Sequence, residues 1–320
     1  MNRLLIAAAS AALASTLPTA PALAQTATVA VTAIVEHPAL DAARDGVRDG
    51  LAEAGFGPQQ INFVYQSAQG NPATAAQIAR QFVGDGAAVI VPISTPSAQA
   101  VVAATSDIPV VFTAVTDPLA AQLVTNLEAP GGNVTGLSDM SPMADHLALI
   151  KEIVPDADTI GVLYNPGEVN SVSLVTRLKE LAAEAGITIV ESTANTSSAV
   201  QGAARSLVGN VDVIYVPTDS TVVSALETVV GVAEEADIPL FSGDTDSVNR
   251  GTLASIGFDY YDVGVQTGAV VARILKGEAP GTIPVTFATG SDLFVNTGAA
   301  ERMGVTIPPA VLERADTIVP

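Results

Sequence analysis

Residues 29–117 of this 320-residue chain are repeated in residues 160–246, and that repeat constrains the fold more tightly than any other feature. Each copy opens with an apolar strand that runs into a Pro-containing turn. In the first it is Val29 to Val35 before Glu36-His37-Pro38, and in the second Ile160 to Leu163 before Tyr164-Asn165-Pro166. A helix follows and ends in matching words, Leu51-Ala-Glu-Ala-Gly-Phe56 and Leu181-Ala-Ala-Glu-Ala-Gly-Ile187, whose glycines read as C-caps. Second strands (Ile61 to Tyr65; Thr188 to Val190) lead through polar loops into second helices. Third strands (Ala88 to Val91; Val213 to Val216) run into Pro92 and Pro217. The fourth units, Asp107 to Val111 and Asp237 to Phe241, lead on to Thr116-Asp117 and Thr245-Asp246. Continuous apolar strands alternating with helices predict parallel sheets covered on both faces. Right-handed crossovers then make each half a doubly wound α/β lobe.

The N-terminus reads differently. A short basic start (Met1 to Arg3), an apolar stretch from Leu4 to Leu17 and the small residues Ala22 and Ala24 predict an export signal, residues 1–24, cleaved before Gln25. Its apolar run is shorter than a membrane span requires. The remaining 296 residues (320 − 24) suffice for two domains. The chain has no cysteine, which excludes disulfides, thiol nucleophiles and a lipid-modified cysteine anchor. The expectation is therefore an untethered periplasmic protein. Loss of Arg3 takes the net charge from −20 to −21, which argues against nucleic acid and against direct insertion into an anionic membrane. No tryptophan and 4% aromatic residues argue against a sugar site built from stacked rings.

In doubly wound sheets, ligands bind beyond the C-terminal strand ends. Both halves carry polar residues there. After the first strands come Glu36 and His37, and Asn165, Glu168, Asn170 and Ser171; after the third come Ser94, Thr95 and Ser97, and Thr218, Asp219, Ser220 and Thr221. After the fourth come Thr113, Thr116 and Asp117, and Ser242, Asp244 and Asp246. Hydroxyls at helix starts either cap the helix or help its free N–H groups hold an anion. Acids among them are either turn residues or partners for a ligand ammonium. Donors for a carboxylate and acids for an ammonium together describe an α-amino acid, with Asp219 and Asp244 as first choices for the ammonium. His37 and Tyr164 are candidate contacts for the ligand side chain, whereas Asp117 and Asp246 read as turn residues.

Catalytic patterns are absent. The two histidines, His37 and His146, have no metal-ligand spacing, and neither a Gly-x-Ser-x-Gly elbow nor a Gly-x-x-x-x-Gly-Lys phosphate loop occurs. A non-enzymatic binding protein without metal or cofactor is expected. A periplasmic hydrolase is the remote alternative.

Five ordered motifs carry a family resemblance: Val35-Glu-His-Pro-Ala-Leu-Asp41, Tyr164-Asn-Pro-Gly-Glu-Val-Asn-Ser171, Tyr215-Val-Pro-Thr-Asp-Ser-Thr221, Asp244-Thr-Asp-Ser-Val248 and Gly257-Phe-Asp-Tyr-Tyr-Asp-Val-Gly264. From Val29 to Val319 the chain resembles the ABC-transporter substrate-binding proteins of the tryptophan/tyrosine uptake type; it departs at Gly167, where a polar residue is common. The resemblance implies a type I periplasmic binding fold. Its N-terminal lobe would hold residues 25–137 plus 258–282 and its C-terminal lobe 138–257 plus 283–320, with crossovers near 136–141, 257–259 and 282–290. It implies a monomer that captures an amino acid, aromatic favoured, and delivers it to an ABC permease with a cytoplasmic ATPase. A sensor that presents the closed form to a receptor kinase is the alternative. Carried over by motif, the ligand-facing residues are Glu36, His37, Thr95, Thr116, Asn165, Glu168, Asn170, Ser171, Thr218, Asp219, Asp244 and Asp259.

Overall fold

A computed structural model describes residues 26–320, so the expected export signal lies outside the described residues. The first lobe is built from β1 (Ala27–Ala33), α1 (Pro38–Glu53), β2 (Ile61–Ser67), α2 (Pro72–Gly84), β3 (Val89–Ile93), α3 (Thr95–Val102), β4 (Val110–Val115) and β5 (Val134–Ser138). The second follows the same plan. It comprises α4 (Met143–Ile153), β6 (Thr159–Tyr164), α5 (Val169–Ala185), β7 (Thr188–Thr193), α6 (Val200–Leu207), β8 (Val213–Val216), α7 (Ser220–Val223), α8 (Leu226–Glu235), β9 (Leu240–Ser242) and β10 (Ala254–Gly257). The chain then returns through α9 (Tyr260–Leu275) and β11 (Thr286–Phe287), and ends with β12 (Asp292–Asn296), α10 (Thr297–Arg302), α11 (Pro309–Glu313) and β13 (Thr317–Val319).

The repeat is borne out in topology. The first sheet runs β11-β5-β4-β3-β1-β2, and the second β13-β12-β10-β9-β8-β6-β7. Within each, five parallel strands keep the order second-first-third-fourth-fifth. In the second sheet β12 pairs antiparallel with β10. Alternation explains why the strands read as unbroken apolar runs. Val29, Val31, Val89 and Val91 enter the core under α1 and α9, whereas Ala30 and Ile90 enter the core under α2 and α3. The expected C-caps form as well. Gly55 (φ 92°) and Gly186 (φ 73°) are left-handed, and the following N–H groups of Phe56 and Ile187 donate back to Leu51 and Ala182 oxygens at 2.8 Å.

Helix α9 returns to the first lobe and packs directly on α1. Gly46 and Gly50 of α1 face Gly264 and Gly268 of α9 so closely that a Cβ on Gly264 would lie 2.1 Å from the Ala43 carbonyl oxygen. This contact fixes the start of α9 beside the start of α1.

Two boundaries differ from expectation. Ser138, assigned to the C-terminal lobe, ends β5 in the first sheet. Residues 283–288 also belong to the first lobe: β11 pairs with Leu137 and Ser138, and Ile283 and Val285 are buried in the first-lobe cores. A two-residue strand with both side chains exposed leaves no apolar pattern to read. The chain therefore crosses between sheets at residues 139–142, 258–259 and 289–291. Strand β3 also continues through Pro92.

Candidate ligand-binding site

The parallel strands of both sheets end at one interface between the lobes, where residues of both line a narrow cavity. His37, Leu40, Ser94, Thr95, Ala114 and Thr116 form its first-lobe wall; Asn170, Thr218, Ser220, Val223 and Asp244 form the opposite one. Asp139, in the first crossover, and Tyr260, which opens α9, complete the lining.

The first-lobe wall is built by strained backbone. Ser94 has φ 78° where β3 turns into α3, and Ala114 has φ 52° at a register shift in β4. Left-handed non-glycine residues of this kind cluster at functional sites. Neither Ser94 nor Thr95 caps α3 with its side chain, and the first N–H groups of that helix have no intrahelical partners. Ser94 Oγ, Thr95 Oγ1, Thr218 Oγ1, Asn170 Oδ1 and His37 Nδ1 are all buried without a hydrogen-bond partner. Buried polar atoms are nearly always satisfied, so this group of orphans around one cavity marks the surface a polar ligand would complete.

Two acids stand among them. Asp139 accepts from Thr116 Oγ1 at 3.1 Å and from the Tyr260 hydroxyl at 2.8 Å. Asp244 accepts from the Ser247 N–H at 2.8 Å and the Ser247 hydroxyl at 2.7 Å. Burial pushes both carboxyls up. Burial, with Arg250 nearby, lowers His37 to about 3, so its ring is neutral at physiological pH. Among the described residues, no lysine or arginine lines the cavity.

Of the residues named from the sequence, the structure places His37, Thr95, Thr116, Asn170, Thr218 and Asp244 at the cavity. It also adds Asp139, Ser94, Ser220 and Tyr260, which were not among the expected ligand contacts. Glu36, Asn165 and Glu168 line a wider outer cleft instead. Glu168 is committed internally, accepting from the N–H groups of Ser220 and Thr221 and from the Thr221 hydroxyl at 2.7–3.0 Å.

Four expected contacts line neither space. Asp219 caps α7 through the Val222 N–H at 2.8 Å, and takes the Asn165 N–H and the Ser171 hydroxyl, each at 2.6 Å. That set occupies both its oxygens and the Ser171 side chain. Burial and the Glu168 charge push the Asp219 carboxyl up. Tyr164 turns its hydroxyl to Glu191 at 2.6 Å, and exposed Asp259 caps α9 through the Tyr261 N–H at 2.7 Å. Asp117 behaves as the turn residue expected, accepting from the N–H groups of Leu119 and Ala120. Among the described residues, no group of acids and histidines could hold a metal ion.

Residues 28–319 match the family model described as ABC transporter substrate binding protein. The chain belongs to that family. This substrate-binding protein is 42% identical over 269 residues to a tyrosine-binding protein of Clostridioides difficile (strain R20291), covering 84% of this chain and 78% of that one. It is similar to an ABC domain from Streptococcus pneumonia solved in complex with L-Trp: 36% identity, TM-score 0.89, covering 92% of this chain and 100% of that one. It also resembles the ligand-free, open structure of a substrate-binding protein with adhesive properties from Clostridium difficile. There the identity is 41%, the TM-score 0.69 and the coverage 92% of this chain and 99% of that one. The fold is that of type I periplasmic binding proteins, and the family binds solutes rather than transforming them.

Proposed function

We propose that this substrate-binding protein captures an α-amino acid, aromatic favoured, between its lobes and passes it to an ABC permease with a cytoplasmic ATPase. The observation that carries the reading is the cavity's chemistry: unpartnered hydroxyls and a helix start for a carboxylate, and two buried acids for an ammonium. Ser94, Thr95 and the first N–H groups of α3 take the ligand carboxylate from the first lobe, with Thr218 opposite. Asp244 takes the ammonium together with Asp139, which replaces Asp219 in that role. Leu40 and Val223, with the neutral ring of His37, offer the less polar wall for a side chain.

Closure by hinge motion accompanies capture. The chain follows the L-Trp-bound relative more closely than the ligand-free open one, although the open one is the more identical in sequence. That ordering supports a closed arrangement of lobes here. A ligand that touches both walls favours the closed state by its differential affinity. The export signal read from residues 1–24 supports a periplasmic location. Tyrosine and tryptophan head the ligand candidates because one relative is a tyrosine-binding protein and another was solved with L-Trp.

The test is to denature the purified protein and identify the released compound by mass spectrometry. An aromatic amino acid in near-stoichiometric amount supports the reading. A sugar or nucleoside in its place refutes it.

A further inference from the structure

One acid of the cavity lies in a crossover and the other in the second lobe. Asp139 follows β5 in the first crossover, and Asp244 follows β9 in the second lobe. Both are at least nine-tenths withdrawn from solvent. Each has its own hydrogen-bond set, so neither is neutralised by the other. Most of the groups facing them are neutral or anionic. Thr116 and Tyr260 donate to Asp139, and Ser247 donates to Asp244. Asp246 adds a third acid nearby, and His37 lacks charge. Arg250 gives Nε and Nη2 to both oxygens of Glu227, at 2.8 and 2.9 Å, while its Nη1 is buried without a partner. Its charge offsets only part of the burial that pushes Asp244 up, one cation against three acids. Unpartnered Ser94 Oγ, Thr95 Oγ1 and Asn170 Oδ1, each in a residue nine-tenths or more buried, point to a ligand in the same space.

We propose that Asp139 and Asp244 form a charge gate on closure: the lobes stay closed only when a ligand places a cation beside the two carboxylates or one of them takes up a proton. The physical reason is that closure carries both acids from water into one dry cavity. Desolvation and like-charge repulsion there oppose their joint ionisation. The Asp244 charge adds to burial in pushing Asp139 up. A ligand ammonium reverses both penalties, so the gate selects for a cationic group independently of side-chain fit. Asp139 also holds the hinge, because its two donors come from the end of β4 and the start of α9. The ligand's charge is thereby read where the lobes pivot. This deepens the amino-acid reading and rests on its placement of the ammonium.

The two kinds of ligand must respond to pH with opposite sign. An ammonium-bearing ligand needs ionised acids, so its affinity falls as pH drops through their raised pKa values. An anionic analogue without the amine needs a protonated acid, so its affinity rises. The experiment is calorimetric titration of the mature protein with L-tryptophan and with 3-(indol-3-yl)propanoate across the acid-to-neutral range, with closure followed by small-angle scattering. The expected result is discrimination of about a hundredfold or more at neutral pH, narrowing as pH falls. Asp139→Asn is expected to weaken L-tryptophan about ten- to a hundredfold and to strengthen the propanoate, flattening its pH profile. If that variant does not fold, the opposite slopes in the unmodified protein carry the test. Equal affinities for the two compounds with no pH dependence would overturn the gate while leaving the amino-acid reading intact. If neither binds but another amine closes the lobes with the same pH slope, the gate stands and the amino-acid reading falls.

Discussion

Replacing Asp219 by alanine separates a residue that holds the lobe together from one that holds the ligand. Three donors converge on this carboxylate, at 2.6, 2.6 and 2.8 Å, tying the loops after β6 and β8 to the start of α7. Leaving a buried donor unsatisfied costs about 1–3 kcal/mol, which for three gives about 3–9 kcal/mol. The lower end applies, since burial and Glu168 already oppose the charged form. A loss of about 3–5 kcal/mol is therefore expected from breaking this buried cluster. It is read as a lower urea midpoint in tyrosine fluorescence, a signal the chain allows because it has no tryptophan. At temperatures where the variant stays folded, its affinity for L-tryptophan should remain within about threefold of the unmodified protein, which is under 1 kcal/mol. An unchanged midpoint with lost binding would refute this. It would return Asp219 to the ammonium role that its position in the sequence suggests.

Gly264→Ala places a Cβ 2.1 Å from the Ala43 oxygen, with backbone rather than a flexible side chain in the way, so α1 and α9 must part. Overpacking of this kind costs about 1–3 kcal/mol or more, and an unchanged thermal midpoint would show that the helices are not in contact. Tyr164→Phe removes one hydrogen bond to Glu191, which Lys179 still holds at 2.6 Å. It should cost about 1 kcal/mol of stability and leave ligand affinity unchanged; a large affinity loss would place Tyr164 in the site. His146, buried between Tyr215 and the Ile256 carbonyl, is lowered to about 4, chiefly by burial. Its folded value lies below the unfolded one, so the unfolded state takes up the proton first and stability falls as pH drops from about 6.5 toward 4. Between pH 6.5 and 5 that slope is worth about 2 kcal/mol, and comparison of urea midpoints should show it missing in His146→Gln. Parallel pH curves for the two proteins would contradict it.

The fold was legible because the repeat imposes the same apolar alternation twice, and chain topology converts it into two like sheets. Val29 and Ala30 look equivalent in the sequence, and they are: one faces each covered side of the sheet. The site was legible only to the level of loops. Thr218 and Asp219 are adjacent, yet Thr218 Oγ1 has no partner and Asp219 is consumed by a cap. That difference depends on the direction of each side chain at a helix start. Asp139 escaped notice because it sits in a crossover, where neither strand nor helix periodicity marks it. The short β11 was misplaced for a related reason, since its pairing depends on backbone register at the edge of β5.

Calorimetric titration of protein freed of any co-purified ligand by unfolding and refolding tests the central claim most directly. The expected result is saturable one-to-one binding of L-tryptophan or L-tyrosine, strongly reduced in Asp244→Asn. Saturation by a sugar or nucleoside, with no heat from any amino acid, would contradict the account.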